Sequence, residues 1–180
     1  MCLRLVGSEM CIRDRIVVSE LAVGGSNRSI DYSLENYLNT FKSLAKQLNI
    51  WLIPGSFYHH QEDKITNVAP VISNSGELVS LCTKTYPFLP YEKDIAGGED
   101  ACVFEIPGVG IIGVHICYDL WFPETSRALA IKGAEVIIHP SLTDTCDRKE
   151  EQVMARATAI QQQCFCLLYT SDAADDCRCV

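Results

Sequence analysis

Short apolar runs with the composition of β-strands alternate with helical segments along most of this chain. Between Ser33 and Asn49 the apolar residues recur at steps of three and four, which predicts an amphipathic helix. Apolar runs flank this helix at Ile16 to Val18 and at Ile50 to Pro54. Because such strands and helices bury one face against another layer, the strand, helix, strand order predicts a layered α/β fold.

Paired strands are predicted in the middle of the chain. The stretch VAPVISNSGELVSLCTK places Asn74-Ser-Gly-Glu between two apolar runs, which predicts a hairpin whose second arm ends at Lys84. Around Pro107-Gly108, the segments Cys102 to Ile106 and Gly110 to Ile116 predict a second pair. The stretch between the two pairs, TYPFLPYEKDIAGGED, contains prolines and a Gly-Gly pair and is predicted to be a loop.

Two further helices are predicted in the second half. Pro123 suits the first turn of a helix that runs to Lys132, and Glu124 is favourable at the positive N-terminus of this helix. The run AEVIIHPS follows as a buried strand, and a final helix is predicted from Lys149 to Gln162. The apolar residues of that helix lie on one face: Val153, Ala157 and Ile160.

The charge of the chain excludes one class of partner. The 180 residues carry a formal net charge of -8 and suit a single domain. Because an acidic protein repels a polyanion and no stripe of Lys and Arg is present, we expect no nucleic-acid partner. No apolar run approaches the roughly 18 residues of a membrane span, and the N-terminus lacks the apolar region of a signal peptide. These features predict a cytoplasmic protein without membrane contact.

The ten cysteines are unevenly distributed. Five lie near the ends: Cys2, Cys11, Cys166, Cys177 and Cys179. The pairs Cys164-Phe-Cys166 and Cys177-Arg-Cys179 leave open a non-enzymatic, cysteine-rich metal-binding or redox protein. Common zinc modules use C-x2-C pairs instead, so no metal site is expected. The cysteines Cys82 and Cys102 are interpreted as core thiols.

Both ends of the chain resemble translated read-through of a transposon-end adapter used in preparing sequencing libraries. The residues EMCIRDR (Glu9 to Arg15) can be encoded by DNA whose reverse complement reads Cys-Leu-Leu-Tyr-Thr, the residues from Cys166 to Thr170. We interpret residues 1–15 and 166–180 as artefactual tails to be set apart from the fold. Residues 16–165 then form a partial domain.

Polar side chains of complementary type follow three predicted strands. They are Glu20, Lys84 and Cys117. Strand ends in α/β sheets are common ligand sites, so we expect these side chains to meet. A carboxylate can take the proton of a thiol, the thiolate is a strong nucleophile, and an ammonium group can stabilise an oxyanion. Together the three residues make a unit for acyl transfer.

The three segments resemble, in the same order, the signatures of the nitrilase superfamily, the carbon-nitrogen hydrolases. IVVSELAVGG resembles the strand that ends in the general-base glutamate, here Glu20. LCTKTYPFLPYEK resembles the lysine segment, with Lys84 as the lysine and Glu92 as the second glutamate that orients lysine and substrate. GVHICYDLWFPE resembles the nucleophile segment, with Cys117 as nucleophile. The resemblance covers nearly all of residues 16–165.

This resemblance implies both a fold and a mechanism. The implied fold is an α/β four-layer α-β-β-α sandwich, usually completed by pairing of subunits, so we expect the full-length parent to be a homo-oligomer. The implied mechanism has Cys117 attack an amide or nitrile carbon while Glu20 takes and returns the proton. Lys84 and the backbone N–H of Tyr118 hold the oxyanion, and water then releases the acid from a thioester. The resemblance implies no metal and no organic cofactor.

The expected substrate is a small amide, hydrolysed to an acid plus ammonia or an amine. A nitrile or an N-carbamoyl amide is the alternative within the superfamily. Trp121 and Phe122 either line the acyl pocket or serve packing. Asp119 is expected to fix the turn after the nucleophile, and His115 is interpreted as a core histidine rather than a catalytic one.

Overall fold

Two β-sheets pack face to face, and helices cover the outer side of each sheet. The computed structural model of the protein describes residues 14–23, 25–26, 34–61, 63–143 and 147–169. The strands are β1 (Arg15–Val17), β2 (Trp51–Ile53), β3 (Phe57–His60), β4 (Ile65–Ile72), β5 (Leu78–Thr83), β6 (Ile95–Ala96), β7 (Cys102–Ile106), β8 (Gly110–Val114), β9 (Val136–Pro140) and β10 (Phe165–Tyr169). The helices are α1 (Leu34–Leu48), α2 (Pro123–Ile131) and α3 (Arg148–Gln162), with a 3₁₀ turn at Cys117–Trp121.

The first sheet is built around β4. Strands β3 and β5 run antiparallel to β4, and the short β6 runs parallel to its first residues. Strand β2 meets the far end of β4 and carries β1 alongside in parallel. The predicted hairpin is confirmed as β4 and β5, and its turn requires Gly76, which has a φ of +84°. A Cβ atom at this position would lie 2.7 Å from the carbonyl oxygen of Lys42.

The second sheet has the strand order β10, β9, β8, β7. Strands β7 and β8 form the second predicted antiparallel pair, whereas β9 and β10 are added in parallel after the crossover helices α2 and α3. Strand β8 ends at Val114 rather than at the predicted Ile116. The reason is that the N–H of Ile116 leaves the sheet and donates to the carboxylate of Asp119 at 2.9 Å.

Strand β10 includes the first residues of the segment interpreted as a C-terminal tail. Its residues pair in register with β9 from Phe165 opposite Val136 to Tyr169 opposite Pro140. Residues 1–13 and 170–180, with the pair Cys177-Arg-Cys179, lie outside the described residues. The boundaries proposed for the two tails therefore stay a prediction.

The main core lies between the two sheets. Its buried residues come from both: Ile53, Ala69, Val71, Cys82, Phe104, Ile106, Ile112, Val114, Ile116, Val136 and Ile138. The interpretation of Cys82 and Cys102 as core thiols is wrong, because they form a disulfide between β5 and β7 with Cα atoms 5.3 Å apart. The two strands face each other across the interface between the sheets, a juxtaposition that local sequence patterns do not reveal.

The helices complete four layers. On the first sheet, α1 packs Leu38 and Ala45 against Leu52 and Ile72. On the second sheet, Leu129 of α2 packs with Ile137 of β9 and with neighbouring apolar side chains. The order helix, sheet, sheet, helix confirms the predicted α-β-β-α architecture. Among the residues with a described structure, no helix is long and apolar enough to cross a membrane.

Helix α3 buries a different face from the one that its apolar residues indicate. Val153 and Ile160 are 62% and 67% exposed. The buried residues are Glu151, Ala155 and Thr158. The apolar pattern misleads here because the side of α3 that faces the sheet carries a carboxylate with polar partners on β9 and on the segment after it.

Candidate active site

The loops and turns after three strands bring the predicted site residues together. Glu20 lies in the turn after β1, Lys84 directly follows β5, and Cys117 begins the 3₁₀ turn after β8. The Nζ atom of Lys84 lies 2.8 Å from Oε1 of Glu20 and 2.8 Å from Oε2 of Glu92. All three of these side chains are buried, and Cys117 is partly exposed. Glu20, Lys84 and Glu92, three of the four residues predicted to be catalytic, therefore form one cluster.

Lys84 is a buried cation between two carboxylates. Burial alone would lower the pKa of its ammonium group, but the negative charge of Glu20, followed by that of Glu92, raises it above its ordinary value. Lys84 consequently keeps its proton across the physiological range. A permanent positive charge in a site of low dielectric constant is suited to stabilising an oxyanion.

Glu92 is fixed by four hydrogen bonds. Its Oε1 accepts from the hydroxyl of Tyr58 at 3.0 Å and from Nδ2 of Asn67 at 3.2 Å. Its Oε2 accepts from Nζ of Lys84 at 2.8 Å and from the backbone N–H of Phe88 at 2.7 Å. Burial opposes the charged form, but these donors, led by Lys84, lower the pKa of Glu92. With both oxygens occupied, this carboxylate can orient its neighbours but is poorly placed to exchange protons.

Glu20 has a different set of contacts. Lys84 and Nδ2 of Asn67 both donate to its Oε1, at 2.8 and 2.9 Å. A side-chain hydrogen bond also links the carboxylate to the thiol of Cys117. Glu20 is therefore the carboxylate that touches both the thiol and the ammonium group.

Asn67 and Tyr58 are site residues that sequence reasoning missed. Asn67 is fully buried in the middle of β4, and its amide joins the carboxylates of Glu20 and Glu92. The hydroxyl of Tyr58 donates to Glu92, and burial, followed by the charge of Glu92, raises the pKa of Tyr58. The available signal was an amide inside the apolar run of β4, since a buried polar side chain requires partners.

The 3₁₀ turn Cys117–Trp121 holds Cys117 in an uncommon backbone conformation. Its φ of +48° lies in the left-handed region, which costs a non-glycine residue about 1–3 kcal/mol and persists only when its surroundings fix it. Asp119 supplies that restraint. Its Oδ2 accepts from the N–H of Ile116, and its Oδ1 accepts from the N–H groups of Thr85 and Tyr86 at 3.0 and 2.7 Å. The 3₁₀ turn at Cys117 is thereby tied to the segment that follows Lys84, and Asp119 fixes this turn as expected.

The thiol of Cys117 is protonated in the resting site. Burial among its neighbours and the charge of Glu20 raise its pKa, whereas Lys84 and a hydrogen bond from the backbone N–H of Leu142 lower it by less. A sulfur with this balance does not ionise spontaneously near neutral pH. It needs a base in contact with it, and Glu20 is in contact.

Aromatic residues in and beside the 3₁₀ turn at Cys117 pack on one another. Phe122 stacks on Tyr86 with ring centroids 3.8 Å apart, and Tyr118 meets Phe122 edge-on at 5.1 Å. Trp121 is 36% exposed, with its ring centroid 6.3 Å from that of Tyr118. Packing thus accounts for Phe122, and a substrate contact of Tyr118, Trp121 or Phe122 stays a prediction.

His115 belongs to a second buried polar cluster. It is 4% exposed, with Nδ1 2.8 Å from Nδ1 of His139 and Nε2 3.2 Å from Oγ of Ser126. Burial, followed by the charge of His139, holds the pKa of His115 well below its ordinary value, so this ring is neutral. Within the described part of the chain, no group of three or more His, Cys, Asp and Glu side chains is arranged to hold a metal ion.

Sequence comparison connects the chain with enzymes that cleave carbon-nitrogen bonds. The model of the carbon-nitrogen hydrolase family matches residues 14–176. Deaminated glutathione amidase from Bos taurus is 32% identical over 146 residues, which cover 72% of this chain and 44% of the relative. The fusion protein NitFhit of nitrilase and fragile histidine triad from Drosophila melanogaster is 32% identical over 136 residues, covering 69% of this chain and 29% of the relative. The chain thus spans less than half the length of these relatives.

Solved structures share the fold. Nit3 from Saccharomyces cerevisiae, a member of branch 10 of the nitrilase superfamily, superposes with a TM-score of 0.77 at 25% identity, covering 87% of this chain and 62% of that one. A mutant amidase from Nesterenkonia sp. AN1, with acrylamide added at its active-site cysteine, gives a TM-score of 0.77 at 18% identity. It covers 87% of this chain and 65% of that chain.

Proposed function

The chain belongs to the carbon-nitrogen hydrolase family, and from this premise we propose that it hydrolyses the C–N bond of a small amide through a thioester on Cys117. The observation that carries the proposal is the contact of one carboxylate, Glu20, with both the ammonium group of Lys84 and the thiol of Cys117. A thiol, a carboxylate and a permanent cation that lie side by side supply, in that order, a nucleophile, a base and a positive charge that stabilises an oxyanion.

The proposed reaction has two halves. In the first, Glu20 takes the proton of Cys117 as the sulfur attacks the amide carbon, and the oxyanion forms against Lys84 and the backbone N–H of Tyr118. The C–N bond then breaks, the leaving nitrogen receives the proton from Glu20, and a thioester remains. In the second half, Glu20 takes a proton from water, the resulting hydroxide attacks the thioester, and the acid leaves as the sulfur regains a proton.

The hydrogen bonds of the two glutamates support different roles for them. Both oxygens of Glu92 accept hydrogen bonds, and two of the donors, Tyr58 and Asn67, are themselves buried. Glu20 instead receives both Lys84 and Asn67 on Oε1. We therefore assign proton transfer to Glu20 and assign to Glu92 the orientation of Lys84, in agreement with the roles implied by the resemblance.

The substrate is proposed as a small amide because amidases occur among the similar proteins. A nitrile and an N-carbamoyl amide pass through the same attack by sulfur and are the alternatives within the family. The cytoplasmic location and the homo-oligomeric state of the full-length parent stay predictions.

The test is covalent capture at Cys117. The chain is incubated with short aliphatic primary amides, quenched in acid and mapped by peptide mass spectrometry, while released ammonia is measured. We expect an acyl adduct on the Cys117 peptide and none after Cys117→Ala. The variant Cys164→Ala, which removes another partly buried free thiol, serves as control and should leave the adduct intact. Ammonia release at an unchanged rate after Cys117→Ala would refute the proposal.

A further inference from the structure

A buried polar cluster lies behind the nucleophile and plays no part in the proposed proton transfers. We call it the Glu151 cluster, and it consists of His115, Ser126, His139, Ser141, Thr143 and Glu151. Glu151, His139 and Ser141 are 0% exposed. Burying a carboxylate is unfavourable unless it is hydrogen-bonded, and an apolar residue in such a position often stabilises a fold equally well. The presence of a buried carboxylate at Glu151 therefore requires a reason other than packing.

The hydrogen bonds of Glu151 converge on the segment that follows β9. Its Oε1 accepts from Oγ of Ser141 at 2.6 Å, from Oγ1 of Thr143 at 3.1 Å and from Nε2 of His139 at 3.2 Å. Burial would raise the pKa of Glu151, but His139, followed by the two hydroxyl groups, lowers it. Arg148, from the same helix, donates to the carbonyl oxygen of Thr143 at 3.2 Å. The first turns of α3 thus hold residues 141–143 in place.

The hydroxyl groups of Ser141 and Thr143, which we call the anchors, flank a residue that contacts Cys117. Leu142 lies between Ser141 and Thr143, and its backbone N–H donates to the sulfur of Cys117. This bond favours the thiolate over the thiol. An N–H fixed in this direction before the reaction can stabilise the negative charge that develops on sulfur when Glu20 takes the proton.

The other end of the cluster reaches the strand that carries the nucleophile. His139 on β9 bonds to His115, which directly follows β8, and His115 bonds in turn to Ser126 on α2. The backbone N–H of His115 also donates to the carbonyl oxygen of Ile138 at 3.3 Å. The cluster therefore fixes the chain just before Cys117 relative to the segment that contacts its sulfur.

We propose that Glu151 is a positioning residue for the nucleophile: through Ser141 and Thr143 it holds the N–H of Leu142 on the sulfur of Cys117. The inference rests on the proposed function, because it assigns to Cys117 the role of nucleophile. Glu151 exchanges no proton with the substrate. Its effect is carried by the backbone of residues 141–143 and appears as a lower pKa of the thiol than the site would otherwise give.

The experiment measures the alkylation of Cys117 by iodoacetamide as a function of pH, with peptide mass spectrometry to separate it from the other thiols. Variants Ser141→Ala and Thr143→Val, singly and together, remove the anchors and leave Glu151 bonded to His139. Loss of the Leu142 bond should displace the alkylation profile to higher pH and slow the reaction about tenfold at a fixed lower pH, equivalent to about one pKa unit. Thr143→Val preserves the side-chain shape at a partly exposed position.

Two further variants separate positioning from general stability. Glu150→Gln changes the neighbouring, exposed carboxylate and should leave the alkylation profile unchanged. Glu151→Gln keeps an oxygen for the two hydroxyl groups and should displace the profile by less than the double variant does. The other ionisable groups that interact with Cys117 are Glu20 and Lys84, which are the same in every variant.

The outcomes distinguish the two proposals. If the anchor variants fold, melt at a lower temperature and keep the wild-type alkylation profile, the cluster is structural and the positioning role is overturned. Thr143→Val alone decides the question if the double variant does not fold. Alkylation of Cys117 requires no turnover, so a displaced profile supports the positioning role even if the amide test fails.

Discussion

Two isosteric substitutions in the candidate site should have opposite consequences. Replacing a carboxylate oxygen by NH₂ turns an acceptor into a donor. In Glu92→Gln the new NH₂ faces two donors in either orientation, because Tyr58 and Asn67 donate to one oxygen while Lys84 and Phe88 donate to the other. In Glu20→Gln the amide oxygen can keep the bonds from Lys84 and Asn67.

The expected change in the free energy of unfolding follows from the number of hydrogen bonds that each substitution removes. Losing two hydrogen bonds to a buried charged group, at about 1.5–3 kcal/mol each, lowers the free energy of unfolding in Glu92→Gln by about 3–6 kcal/mol. That is a large part of the about 5–15 kcal/mol that stabilises a typical domain. Glu20→Gln should change this free energy by less than about 1.5 kcal/mol, the cost of one bond, but nearly abolish thioester formation because the thiol loses its base.

Urea denaturation followed by circular dichroism provides the assay, with Glu77→Gln as the exposed control. We expect the control and Glu20→Gln to unfold near the wild-type midpoint and Glu92→Gln to unfold much earlier. Equal midpoints for Glu20→Gln and Glu92→Gln would refute the reasoning from hydrogen-bond occupancy. A Glu20→Gln variant that retained most of its acylation rate would refute the role of Glu20 as base.

Three other predictions concern stability. Because Glu92 has a lowered pKa in the folded state, its contribution to stability is present above the unfolded value of about 4.3 and is lost as the pH falls through the folded pKa. Urea titrations below about pH 4.3 should show this loss. Burial raises the pKa of Asp119 to about 6, so the protonated form is favoured on folding and stability decreases as the pH rises from the unfolded value toward about 6. Asp119→Asn should remove this decrease in urea titrations over that pH range. Gly76→Ala should lower the melting temperature more than Gly108→Ala, because both have positive φ but only Gly76 would place a Cβ against Lys42; equal melting temperatures would contradict this.

Local patterns predicted the elements that depend on neighbours in sequence. The spacing of apolar residues predicted α1, and the turn at Gly76 between two apolar runs predicted the β4 and β5 hairpin. The segments around Glu20, Lys84 and Cys117 could each be identified from a few consecutive residues. Such features are encoded within one turn or one strand, where side-chain periodicity and backbone preference act directly.

Helix α3 shows where this reasoning failed. Its apolar residues Val153 and Ile160 are exposed, and Glu151 is buried. Nothing within the helix distinguishes Glu151 from the adjacent Glu150, because their difference depends on His139 and Ser141, which reach α3 only when it packs on β9. The disulfide between Cys82 and Cys102 was missed for the same reason, since it joins strands of different sheets.

The sequence by itself determined which residue types are available for chemistry and which local structures present them. Tertiary structure alone decided which of them touch: Glu20 and Lys84 are 64 positions apart in the chain, yet their charged atoms lie 2.8 Å apart. The same holds for Asn67, whose amide joins two carboxylates from distant segments. Periodicity and turn preference act over a few residues, whereas burial, desolvation and the partners of a buried charge are set by the packing of two sheets against each other.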